Sequence, residues 1–167
     1  MTASIKIHEL TASRAGTDKT SATVRFKLAD DQTVDLNNPL TIPSSGAYKT
    51  KSYSKHLRLY CATAPGTQIN NLRMYTDGSN DMCASVDVYA SDVGIRFDTN
   101  ATGSAVQASD IFNFVVGDPM DIDAIHTVAV TATGYCGDII KMQMLVASDA
   151  TSGMKNSETV TMAYDEI

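Results

Sequence analysis

A chain of 167 residues has the length of one domain and buries roughly two-thirds of the surface its unfolded form exposes. With 43% hydrophobic and 19% charged residues it is too apolar for a disordered tail. Its 13 basic and 19 acidic residues give a formal charge of −6, which disfavours polyanionic partners, duplex DNA first among them.

The opening residues, with Lys6, His8 and Glu9, lack the apolar run of a secretory leader, so synthesis in the cytoplasm is expected. The longest apolar runs, at 114–116 and 144–147, fall far short of the ~18 residues of a bilayer span, and no membrane is expected as a partner. Apolar residues then alternate with polar ones from end to end, broken at short intervals by Gly, Pro, Asn, Asp and Ser. The first predicted strand is 5–10, followed by a polar loop over 11–20. Segment 22–29 has the cleanest alternation, with Val24, Phe26 and Leu28 set against Thr23, Arg25 and Lys27. Asp30, Asp31 and Gln32 read as a tight connection into a strand at 33–36, making a hairpin. Segment 37–48, with Pro39, Pro43 and Gly46, reads as a surface excursion.

Strands follow at 53–63 and 69–76, the first with Leu57, Leu59 and Cys61 on one face, and Asp77 and Gly78 mark a turn. Segment 84–90 completes a second hairpin-like pair. Val93, Ile95 and Phe97 form a short strand, and 100–109 is a loop. A buried strand at 111–116, a β-branched strand at 125–133, and strands at 139–147 and 158–164 close the series. The expected fold is an all-β single domain over 1–167, a β-sandwich of jelly-roll or immunoglobulin-like type with about nine or ten strands. Flexible terminal arms at 1–4 and 165–167 join the loops 37–48 and 100–109 as expected contact elements.

Chemistry is sparse. His8, His56 and His126 lie in separate predicted strands without a ligand or base at short spacing. Cys61, Cys83 and Cys136 form no metal-binding pair and read as free thiols of a reducing compartment. There is neither a nucleophile elbow nor a phosphate-cradling glycine loop. Asp118, Asp121 and Asp123 alternate as a hard cation would require, but without the bend glycine and distal Glu of a calcium loop they read as a solvated acidic loop. The acid pairs Asp30/Asp31 and Asp165/Glu166 read as a turn and a terminus, since adjacent strand residues point to opposite faces. A basic stretch, Lys49, Lys51, Lys55, His56 and Arg58, is read as a solvated loop and strand face. Tyr60, Tyr75 and Tyr89 offer a modest sugar-stacking face in a chain without Trp. No catalytic, cofactor-binding or metal-binding residue is assigned, and the expectation is a non-enzymatic protein without a cofactor.

The segments Lys55-His56-Leu57-Arg58-Leu59-Tyr60 and Ile69-Asn70-Asn71-Leu72-Arg73-Met74-Tyr75-Thr76-Asp77-Gly78, with the ending Thr159-Val160-Thr161-Met162-Ala163-Tyr164-Asp165-Glu166-Ile167, resemble small virion proteins of tailed bacteriophages. The matching motifs are scaffold and turn residues, so the resemblance carries over no site residue. It implies a β-sandwich in the particle's head, neck or tail, assembled in the host cytoplasm as a homo-oligomer beside other virion proteins. Head decoration or a neck/collar position is favoured, without direct nucleic-acid contact given the net acidity, and cysteine pairing within or between subunits after lysis is left open. The rival expectation is a carbohydrate-binding β-sandwich module that recognises host glycans.

Overall fold

In the computed structural model, which describes residues 2–11, 14–45, 50–95, 109–153 and 155–167, the chain folds as two antiparallel sheets packed face to face. The all-β sandwich expected from the alternation is thus present. Among the described residues the strands are β1 (Ser4–Leu10), β2 (Gly16–Asp18), β3 (Thr50–Lys51), β4 (Lys55–Thr63), β5 (Ile69–Tyr75), β6 (Val86–Asp92), β7 (Ser109–Asp110), β8 (Met120–Asp121), β9 (Gly134–Val146) and β10 (Thr161–Glu166). A seven-stranded sheet runs β2-β1-β4-β9-β6-β7, with β3 also on β9, and a three-stranded sheet runs β10-β5-β8.

Central β9 exists because its apolar residues keep period two over a long stretch. Ile140, Met142, Met144 and Val146 fall on the face that carries Leu57 and Leu59 of β4 and Val86, Val88 and Ala90 of β6. Ile69, Leu72 and Met74 of β5 close the core from the other sheet, each at most 1% exposed. The spacing from Ile69 to Leu72 breaks the alternation, and Asn71, at φ +53°, absorbs the extra residue, a left-handed conformation that Asn tolerates. Gly137 does the same in β9, at φ +64°, where the register against β4 shifts between Leu57 and Leu59.

Several expected strands are corrected. Segment 22–29 joins no ladder: Val24 and Phe26 pack on the core, but so does Lys27, 1% exposed, from the predicted polar face. Its ammonium meets Asp31 Oδ2 at 2.8 Å and Asp35 Oδ1 at 2.6 Å. The carboxylates of Asp31 and Asp35 also accept the backbone N–H of Thr33 and Asn37, curling 31–37 into successive turns instead of the predicted strand, with Val34 and Leu36 exposed. Strands β5 and β6, expected as a hairpin, lie in different sheets across the core. Segment 111–116 is a 3-10 turn, Ile111–Asn113, capped by Asp110, and not a buried strand. Segment 125–133 joins a strand by backbone hydrogen bonds at Val130, which bonds Ile69 in both directions, and forms no strand of its own. The loop predicted at 11–20 contains β2, an exposed edge strand.

Of the excursion at 37–48, residues 46–48 lie outside the described residues, while Leu40 and Ile42 dock on Val86, Val146 and Ala150. Val93 and Ile95 sit in a turn, whereas Phe97 and 100–108 lie outside the described residues. The expected arm at 165–167 is fastened: Glu166 accepts the Ala3 N–H at 3.0 Å, and Ile167 and Gln68 exchange backbone hydrogen bonds. Among the described residues no helix is long and apolar enough to cross a membrane.

Candidate functional site

Asp118, Asp121 and Asp123 flank and form β8: Asp118 and Asp121 are exposed, and Asp123 is buried with its carboxyl beside that of Asp121. Asp121 Oδ1 accepts the Asp123 N–H at 3.0 Å, the same turn-capping bond made by Asp18, Asp77, Asp92 and Asp110. These acids therefore shape the backbone, and among the described residues no His, Cys, Asp and Glu cluster is placed to hold a metal ion.

Strand order and a folded-back loop bring together acids that are distant in sequence. Asp138, 1% exposed on β9, accepts the N–H groups of Ile125 and His126 at 2.9 and 3.1 Å and pairs with His126 Nδ1 at 2.9 Å. Asp92 on β6 has its buried Oδ2 beside the Asp138 carboxylate. Burial pushes the Asp92 carboxyl up to about 6, helped by the Asp138 charge, and burial beside Asp121 does the same to Asp123, also to about 6. Sequence spacing could not reveal the Asp138–His126 pair. Among the described residues no hydroxyl or thiol hydrogen-bonds His126, so the pair anchors residues 125–127 without a nucleophile to activate.

On the outer face of the large sheet, β1, β4 and β9 bring three rings together. His8 stacks on Tyr60 with centroids 4.7 Å apart, Tyr135 meets Tyr60 edge-on at 5.2 Å, and Tyr135 Oη lies 3.2 Å from His8 Nδ1. Arg58 Cζ sits 5.6 Å from the Tyr135 centroid, and Tyr135 is 41% exposed. Burial lowers the His8 pKa from its usual 6.5, keeping the ring neutral at physiological pH. Of the three predicted tyrosines only Tyr60 belongs here. Tyr75 is in the smaller sheet, and Tyr89 pairs with Gln143, eight residues along β9 from Tyr135, about 26 Å away.

The basic stretch forms no single patch. Lys55 points into the sandwich, where its ammonium meets Glu9 Oε1 at 2.7 Å, His56 is buried, Arg58 donates to the Gly137 carbonyl, and Lys49 lies outside the described residues. Cys61 and Cys136 are buried in the core, and burial raises the Cys136 thiol to about 11, so of the three free cysteines only Cys83 is partly exposed.

A large concavity follows from unequal sheets. Three strands cannot cover the inner face of seven, and among the described residues that face is roofed beyond β10 by irregular segments, residues 22–27, 35–42, 151–153 and 155–160. Between them lies a cavity of about 1070 Å³ with Val88, Met142 and Met144 on its floor, Phe26 and Met162 on its walls, and Arg25 and Lys155 among its cations. No protein-family model, curated protein or solved structure matches the chain.

Proposed function

We propose that this chain is a non-enzymatic structural subunit of a tailed-phage virion, a head decoration or neck/collar protein that stabilises the particle through symmetric contacts with its own copies and other virion proteins. The observation that carries this reading is strand-forming sequence left without strand partners. Segment 125–129 is β-branched and apolar, yet Ile125 is 57% and Val128 69% exposed, and Leu36 of the 33–36 segment is 71% exposed. A subunit that completes its packing only against neighbours has this character. The likeness of 55–60, 69–78 and 159–167 to small phage virion proteins supplies the setting. Cryo-EM of particles from the phage that encodes the chain tests it. Ordered copies at symmetric positions are expected, and particles that lack the protein would overturn the reading.

The rival reading, a glycan-binding module, draws on the Tyr60, Tyr135 and His8 platform, whose exposed ring face suits sugar stacking. It requires a monomer that binds on a glycan array and loses the signal in Tyr135→Ala.

A further inference from the structure

We infer that the cavity beside β10 receives the arch formed by residues 123–129 of a second copy of this chain, so that copies join head to tail. The inference rests on the chain being an assembling subunit and names the contact that assembles it.

The two elements lie on opposite edges of one sheet. In the order β10-β5-β8, the cavity opens along β10, with Val160 and Met162 in its wall, while the arch continues from β8. The arch leaves the sheet after Ile122, whose N–H bonds the Leu72 carbonyl, and returns at Val130. Residues 124–129 between them are all exposed. Stacking one copy's β8 edge beside the next copy's β10 edge therefore brings knob and hollow together without turning either subunit over.

The surfaces are matched in kind. The arch presents Ile125 and Val128, and the cavity presents the partly exposed Phe26, Met144 and Met162, whose flexible methionines adapt to an inserted side chain. The arch is held in advance: the Asp138 carboxylate ties down the Ile125 and His126 N–H groups, and Thr127 Oγ1 donates to the Asp123 carbonyl at 2.8 Å. Little ordering cost remains for binding to meet. Charge agrees as well. Arg25 and Lys155 line the cavity and neither forms an ion pair among the described residues, whereas the cavity's acids are engaged, Asp35 by Lys27 and Glu158 by the Asp81 N–H. The exposed carboxylates of Asp118 and Asp121 flank the arch. A fatty acid would use the floor and the cations but would leave the arch uncovered; a second copy uses all of them. Since knob and hollow differ, the contact is heterologous and propagates into a ring or a filament.

The test uses the full chain in sedimentation velocity. The wild type is expected to form concentration-dependent oligomers, and Val128→Asp and the double variant Arg25→Glu/Lys155→Glu are each expected to weaken association at least tenfold. All three substituted side chains lie outside the buried core, so circular dichroism should stay unchanged. The deciding arm mixes the two variants: one keeps a working cavity and the other a working arch, so they should form a 1:1 dimer that grows no further. Overturning results are a wild type that stays monomeric at its highest soluble concentration, oligomers indifferent to both variants, or a monomer that binds dodecanoate in the cavity. Head-to-tail oligomers of a chain absent from phage particles would remove the virion reading and leave this contact standing. Particles holding isolated copies would do the reverse.

Discussion

Glu9 is 1% exposed and faces two ammonium groups, Lys55 Nζ at 2.7 Å and Lys19 Nζ at 3.5 Å. Lys55 also donates to the Asp31 carbonyl, Lys19 to those of Thr23 and Gln32, and the Gln32 amide to the Glu9 carbonyl. Together these bonds staple the irregular 19–32 segment to the large sheet. Removing the carboxylate leaves two buried cations uncompensated, so Glu9→Ala is expected to cost about 3 kcal/mol in urea unfolding, and Glu9→Leu with Lys55→Met to recover much of the loss. Gly137 is the second sensitive position. A Cβ there would lie 2.9 Å from Leu72 Cδ1 and 3.0 Å from the Ile122 carbonyl oxygen, at a φ that disfavours L side chains. Strain and overpacking between the sheets make Gly137→Ala about 2 kcal/mol destabilising, readable as a lower denaturation midpoint with an unchanged slope.

At the scale of elements, Lys27 determines whether 22–37 is ordered. Its ammonium is bonded to Asp31, Thr33 and Asp35, and that ammonium, with the N–H groups of Thr33 and Asn37, holds both aspartates below the usual carboxylate range, Asp35 at about 2. Lys27→Met leaves two carboxylates facing each other, so hydrogen exchange should rise across 22–37 while β4 and β9 stay protected. The segment also explains where sequence reading failed. Strands β4, β5 and β9 were legible because their alternation coincides with burial. Segment 22–29 alternates equally well, but the chain buries Lys27 with it and supplies the counter-charges from turns at Asp31 and Asp35. The cue was present in the Asp31, Thr33, Asp35, Asn37 spacing, which suits consecutive side-chain-capped turns better than a strand. The aromatic platform was legible only through Tyr60, because Tyr135 and His8 reach it through the β1-β4-β9 strand order. The cavity was not legible at all, since it arises from the mismatch in width between the two sheets.

For the whole molecule, two sets of carboxyls pull stability in opposite directions with pH. Asp18, Asp31, Asp35 and Asp165 have folded pKa values depressed by lysine, arginine or hydrogen-bond partners, so their contribution is present above the unfolded value near 3.8 and is lost as pH falls. Asp92 and Asp123 are raised to about 6, chiefly by burial. Their contribution is complete below 3.8 and is lost as pH rises through 6, when each must ionise next to another carboxyl. Stability should therefore peak near pH 4, decline between about pH 4 and about pH 6, where the unfolded carboxyls ionise and the folded ones do not, and level off above about pH 6. Thermal melts across that range separate the two sets. Asp92→Asn with Asp123→Asn should raise the melting temperature above about pH 6, flatten the decline between about pH 4 and about pH 6 and leave the acid limb in place. A decline that persists in the double variant would place its origin outside this carboxyl cluster. Because Asp138 ties the 125–127 backbone to the same cluster, protection of the Ile125 and His126 amides, relative to their intrinsic exchange rates, should fall as pH rises to about 6 in the wild type and much less in the double variant.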